Sequence, residues 1–398
     1  MDWSFLIKNK ESLHVTTDSR KVTPGCIFVA LKGEHFDGNQ FVDQALADGA
    51  SYVIKGENAV LDLQDLARAW RRELGLPIIG ITGTNGKTTT KELTAAVLKT
   101  KYNLYYTQGN LNNSLGVPLT LLSITRAHEL AIVEMGASHP GDITELVEIA
   151  EPNYGLITNV GKAHLQGFGS FEGVQRTKRE LYDYLVAHDG TIFINENNEY
   201  LKQMLIESTG HKTPNTIGYH RIAMPQGTHL VGDYNAENIA AALAVGQFFG
   251  VEEATAMAAI RAYEPTNHRS QLLQTEHNTL VVDAYNANPT SMQAAIHAFN
   301  QALDTKHQTP NTYILGAMRE LGDYSHQEHQ NVVNALLEMK ENSVYLIGEE
   351  YKQTTAPYPI FDNVEQFIEY LQSHPLWERR ILLKGSHSTQ LEKLLPLL

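Results

Sequence analysis

From Pro77 to about Tyr263, short apolar runs of the sequence alternate with longer stretches of helical character. Ile78 to Thr82, LAIVEMG and YGLITNVG read as buried strands, and FEGVQRTKRELYDYL and DYNAENIAAALAVGQFFG as helices. Such alternation predicts a parallel sheet covered on both faces. A first unit precedes it, in which CIFVAL and YVI bracket the helix-like FVDQALADGA, and LDLQDLARAWRRELG forms an amphipathic helix leading to Pro77. A third unit begins near Pro265. There TLVVDAYNANPTSM, TYILGAMRELGDYSHQEH, SVYLIGEE and RILLKGSHSTQLEKL repeat a strand, loop and helix theme. The expected architecture is α/β throughout, in three domains at residues 1–76, 77–264 and 265–398.

The chemistry concentrates at PIIGITGTNGKTTTKEL. A strand breaks into Gly83-Thr84-Asn85-Gly86, and a helix follows from Lys87. Glycines let backbone N–H groups approach phosphate oxygens, and the helix N-terminus adds partial positive charge. Lys87 is placed to reach the β- and γ-phosphates, and the Thr88 hydroxyl to ligate Mg²⁺. Ile81 stands where the usual eight-residue pattern has its first glycine, and a plain tight turn is the alternative. The expectation is an ATP or GTP site spanning Thr82 to Thr89.

Ligands of parallel sheets bind outside the carboxyl ends of strands. Glu134 closes one strand there, as a candidate Mg²⁺ ligand or a solvated strand end, and Thr158-Asn159 close the next. By spacing alone His164 and Lys178 read as ordinary surface residues. Asn235 and Asn238, in the first turn of a helix, could cap it or read a base. Ser19-Arg20 and Lys32-Gly33 end apolar runs in the first unit. An arginine beside a hydroxyl suits a phosphate, although exposed Ser-Arg pairs are common.

Composition narrows the classes. The formal net charge is −14 with no Lys/Arg cluster, which argues against a nucleic-acid surface. The single cysteine, Cys26, excludes an internal disulfide and a cysteine-rich metal site, and reads as a small core residue. The 17 histidines are scattered, so no histidine metal cluster is expected. MDWSFLIKNK has no signal-peptide pattern, and no apolar run is long enough to span a membrane. A cytoplasmic protein is expected.

Over nearly its whole length the chain resembles the Mur ligases. DSRKVTPGCIFVALKGEHFDG is similar to the family's UDP-sugar domain, and GITGTNGKTTTKEL to its ATP loop. LNNSLGVPLTLL, VEMGASHPGDI and ITNVGKAHLQGFGS are similar to its central motifs. DAYNANPTSM and LGAMRELGDYSHQEH point to the member that adds D-alanyl-D-alanine to a UDP-N-acetylmuramoyl-tripeptide. The ATP loop is shared with folylpolyglutamate synthases, which would not need the first unit.

The resemblance implies an N-terminal UDP-binding α/β domain, a central P-loop ATPase-like parallel sheet and a C-terminal Rossmann-like domain. It implies a monomer that uses ATP and two Mg²⁺ ions to form an acyl phosphate, which the dipeptide amine then attacks. By resemblance Lys87 holds the phosphates, Thr88 and Glu134 bind the first Mg²⁺, and Glu134 and His164 the second. Lys178 matches a lysine carried as a carbamate, which gives a metal-ligating or orienting carboxylate. Asn235 and Asn238 lie near adenine, Asp283 accepts from ribose, and Arg269 sits near the γ-phosphate. Tyr285, Asn286 and Asn288 would lie close to the same cleft. Ser19 and Arg20 would contact UDP, and Asn112 and Asn113 the substrate. Departures from the family pattern are Ser138, Asn39, Asp233-Tyr234-Asn235 and His387. The alternatives are a sister ligase with another amine acceptor and a non-catalytic nucleotide-binding homologue.

Overall fold

The computed structural model describes residues 2–210, 212–266, 269–301, 310–339 and 343–398. Among these the strands form three sheets. The first is small and parallel: β1 (Val15–Thr16), β2 (Ile27–Val29) and β3 (Tyr52–Ile54), in that order. The second contains β4 (Ile78–Thr82), β5 (Leu104–Tyr106), β6 (Leu130–Glu134), β7 (Tyr154–Ile157), β8 (Thr191–Asn195) and β9 (Asn215–Tyr219). Its order is β5-β6-β4-β7-β8-β9, all parallel. The third contains β10 (Gln271–Gln274), β11 (Thr279–Asp283), β12 (Asn311–Gly316), β13 (Ser343–Ile347), β14 (Ile360–Phe361) and β15 (Arg380–Lys384). Its order is β10-β11-β15-β12-β13-β14, with β10 antiparallel at the edge.

The strands β4 and β6 are buried at every position, as befits a sheet covered on both faces. Chain order reverses around β4, whose neighbours are β6 and β7, so its carboxyl end opens a crevice. The glycine loop fills that crevice. In the third sheet the parallel register sets Asp283 at the end of β11 beside Lys384 at the end of β15.

The amphipathic helix Ala59–Leu74 joins the first two sheets. Leu63, Leu66, Ala67 and Trp70 are buried in a cluster that also holds Ile27, Val29 and Ile54 of the first sheet and Ile78, Ala131 and Val133 of the second. The Trp70 indole donates to the Ile124 carbonyl (2.9 Å), and Arg71 donates to the carbonyls of Ala150 and Glu151. The apolar core therefore runs unbroken across Pro77. No described helix is long and apolar enough to cross a membrane.

Candidate active site

A cavity of about 690 Å³ lies where the central and C-terminal sheets face each other. Its floor is the loop after β4. Gly83 has φ 138°, and a Cβ there would sit 2.0 Å from the Thr158 hydroxyl. Gly86 has φ 78°, and a Cβ there would meet the Asn238 side-chain oxygen at 2.5 Å. Both positions require glycine, for backbone conformation and for close approach. Asn159 braces the loop, accepting from the Asn85 N–H on its side chain (3.0 Å) and from the Thr84 N–H on its carbonyl (2.9 Å).

Thr84, Asn85, Gly86, Lys87 and Thr89 line the cavity. The helix Lys87–Leu98 starts here, so its first N–H groups lie at the cavity floor. The Lys87 ammonium donates to the carbonyls of Gly83 (2.7 Å) and Thr84 (3.0 Å). Burial depresses its pKa to about 8; Glu134 opposes that shift and Arg269 adds to it. Thr82 is different. It is fully buried, and its hydroxyl donates to the Met135 carbonyl (2.8 Å), so it holds β4 to the chain after β6 rather than facing the cavity.

Glu134, 1% exposed, ends β6 beneath the loop. Its Oε1 accepts from the Thr88 hydroxyl (3.2 Å) and the Asn112 amide (2.9 Å). Its Oε2 is buried without a hydrogen bond. The fully buried Lys91 ammonium stands 3.6 Å from that oxygen, an ion-pair contact but too long for a hydrogen bond. Lys91 donates instead to the Thr107 carbonyl (2.7 Å), and the Thr107 hydroxyl accepts from the Glu134 N–H (2.9 Å). A buried carboxylate oxygen short of donors, beside a hydroxyl, is a donor set that suits a hard cation. No group of three or more His, Cys, Asp or Glu that could hold a metal occurs among the described residues.

His164 lines the cavity with a left-handed φ of 49°. Its Nδ1 faces the Glu320 carboxylate, which comes from the C-terminal unit. Burial lowers the His164 pKa against the pull of Glu320. Lys178, on the helix Phe171–Ala187, is buried behind this wall, with its ammonium 3.5 Å from the Ala137 carbonyl. Burial first, and Lys87 second, hold its pKa well below the usual lysine value. A buried lysine whose charged form is disfavoured by burial was not legible from spacing.

The other side of the cavity belongs to the helix Asn235–Phe248 and the C-terminal sheet. The Asn235 amide donates to the Val231 carbonyl (2.8 Å), and Asn238 links Asn235 to the Thr90 hydroxyl (2.9 and 3.0 Å). Both asparagines line the cavity, as do Asn112 and Asn113. Arg269 stacks on Tyr285, its guanidinium carbon 4.0 Å from the ring centroid. Asp283 also lines the cavity, with one oxygen already accepting from Lys384 (2.7 Å). Asn288 reaches across to Asn85 (2.7 Å), tying the two sheets together at the phosphate loop.

Most expected positions thus converge, while Ser19 and Arg20 do not join the cavity. They lie on a short turn of the first unit, where exposed Arg20 pairs with its neighbour Asp18 (2.8 Å). Lys384, Glu320 and Lys91 were not singled out from sequence, and Tyr234 was noted only as a departure from the family pattern. Lys384 could have been, because RILLK ends a strand with a charge just as TLVVD does.

Three family models cover most of the chain: Mur ligase family, catalytic domain (residues 13–100), Mur ligase middle domain (81–225) and Mur ligase, glutamate ligase domain (268–387). The UDP-N-acetylmuramoyl-tripeptide–D-alanyl-D-alanine ligase of Bacillus subtilis is 35% identical over 84% of this chain and 79% of its own length. That of Escherichia coli is 32% identical over 95% of this chain and 92% of its own. A crystal structure of MurF from Acinetobacter baumannii is 28% identical and superposes with a TM-score of 0.84 over 96% of this chain and 92% of its own. The MurF ligase from Thermotoga maritima in complex with ADP is 26% identical, with a TM-score of 0.84 and 98% of each chain covered. With this fold, this glycine loop and relatives matched over most of both lengths, the chain belongs to the Mur ligase family.

Proposed function

We propose that this chain is an ATP-dependent ligase that joins D-alanyl-D-alanine to the terminal carboxylate of a UDP-N-acetylmuramoyl-tripeptide, a step of peptidoglycan precursor synthesis. One observation carries the reading beyond family membership. A single cavity gathers the loop cation Lys87, the buried Glu134–Thr88 pair and, from the opposite sheet, Arg269 and the Asp283–Lys384 pair. Relatives named for this reaction, at 30–35% identity over most of both chains, support the same reading.

The carboxylate oxygen attacks the γ-phosphorus of ATP, ADP leaves, and an acyl phosphate forms. The dipeptide amine then attacks the acyl carbon, the C–O bond to phosphate breaks, and the amine proton passes to a base. Two anions must meet in the first step, so cations have to gather there. Lys87 and Arg269 are the chain's own cations for that purpose. Asp283 retains an oxygen for ribose hydroxyls because Lys384 occupies only its other one. Asn235 and Asn238 would serve the adenine end.

Thr88, Glu134, His164 and a carbamate on Lys178 would hold Mg²⁺, two ions in all. Bound there, Mg²⁺ neutralises phosphate oxygens. The carbamate needs a neutral amine: nitrogen bonds to the carbon of CO₂ and one proton leaves. Burial of Lys178 favours that form. Ser19 and Arg20, on the first sheet's unit, would contact the UDP end, and Asn112 and Asn113 the peptide. The domains at 1–76, 77–264 and 265–398 would then bring UDP-peptide, ATP and dipeptide together.

The test is phosphate release from ATP, Mg²⁺ and UDP-muramoyl-tripeptide, with the dipeptide added or withheld. Release that depends on D-alanyl-D-alanine is expected. Release with another amine and not this one points to a sister ligase, and none with any acceptor to a non-catalytic nucleotide binder.

A further inference from the structure

The linker between the central and C-terminal sheets enters the cavity at Arg269 and Ser270. Ser270 is buried and has φ 50°, a left-handed conformation sparsely used by residues other than glycine. Such a conformation persists only where its surroundings over-determine it. Two contacts do so here. The Tyr234 and Ser270 hydroxyls lie 2.6 Å apart, and Leu230 pairs with Gln271 in an isolated antiparallel bridge. Burial first, and the charge of Asp283 second, push the Tyr234 phenol well above its ordinary pKa, so it keeps its proton at neutral pH. The preceding residue, Arg269, lies over Tyr285, which stacks in turn on His387 (centroids 5.9 Å apart). Tyr234, Arg269 and Ser270 all line the cavity.

We propose that Tyr234 is a positioning residue: its hydrogen bond to Ser270 pins the linker so that Arg269 presents its guanidinium to the γ-phosphate end of bound ATP. This rests on the role given to Arg269 above. Tyr234 acts through Arg269 and not on reacting atoms. A Tyr→Phe change removes the hydroxyl and keeps the ring that packs against Gly232, whose Cβ position is 2.4 Å from the Tyr234 ring.

The experiment is calorimetric titration of the full chain, with Mg²⁺, against ADP and against an ATP analogue whose β,γ-bridging oxygen is replaced by NH. The variants are Tyr234→Phe, Ser270→Ala, both together, and Arg269→Ala. A lost net hydrogen bond predicts about fivefold weaker binding of the analogue in Tyr234→Phe and in Ser270→Ala. ADP affinity stays unchanged, and the double variant is no weaker than either single one. Equal weakening of both nucleotides, or additive losses in the double variant, overturns the inference. Arg269→Ala separates the two layers. If it fails to discriminate the analogue from ADP, the reading of Arg269 falls; if it discriminates and Tyr234→Phe does not, only the positioning role falls.

Discussion

The cavity and the turn at Ser19-Arg20 both carry cations assigned to phosphate, and they are built differently. In and beneath the cavity, key charged groups are buried and meet partners from distant parts of the chain. Lys384 meets Asp283 from the neighbouring strand, and Lys91, beneath the loop, faces Glu134 as well as its neighbour Glu92. On the turn, Arg20 is 85% exposed and pairs with a carboxylate two residues away. Burying a charge is costly unless it is matched, whereas an exposed local pair costs and contributes little. Long-range buried pairs therefore mark where the fold has given up stability for chemistry, and local surface pairs leave the question open.

Lys87→Met tests the buried side most severely. It is expected to lower kcat/KM for ATP by about a thousandfold in a phosphate-release assay, the scale of losing a preorganised charge contact. A loss below tenfold would remove the distinction between the two places. Lys384→Met comes next. It leaves Asp283 mostly buried without its partner, and breaking such a pair costs about 3 kcal/mol. A lower denaturant midpoint is expected, recovered in large part by adding Asp283→Asn.

The pH dependence sharpens the contrast further. Lys87 is held at about 8, below the ordinary 10.5. Between those values the folded enzyme has lost a proton that the unfolded chain keeps, so Lys87's contribution to stability grows as pH rises through that window. Phosphate needs the cation, so ATP affinity is expected to fall above pH about 8, with proton uptake on binding. Calorimetry in two buffers of different ionisation enthalpy measures that uptake, and its absence would contradict the assignment. Arg20→Ala is the mildest change. It is expected to raise KM for the UDP-peptide several-fold without moving the denaturant midpoint. An unchanged KM would leave the Asp18–Arg20 pair as surface only.

Much of this was legible in sequence, because strand ends and glycines carry local signals. The loop from Gly83 to Thr89, Glu134 at the end of LAIVE and Asp283 at the end of TLVVD follow from alternation plus the rule that parallel strands bind ligands at their carboxyl ends. What escaped depends on partners far apart in the chain. By spacing Lys178 is an ordinary lysine in FEGVQRTKREL, and only the resemblance marked it before the fold buried it. Thr82, beside the loop, gives its hydroxyl to Met135 because β4 and β6 are neighbours, which no local pattern states. Glu320 sits within LGAMRELGDY with nothing to tell that His164 will face it.

The central claim is that this cavity activates a carboxylate by phosphorylating it. The direct measurement uses UDP-muramoyl-tripeptide labelled with ¹⁸O in its terminal carboxylate, with ATP, Mg²⁺ and D-alanyl-D-alanine, and mass analysis of the released phosphate. The account predicts one ¹⁸O transferred to each phosphate, because the attacking oxygen leaves with phosphorus when the amine displaces it. Unlabelled phosphate alongside a formed amide would contradict it.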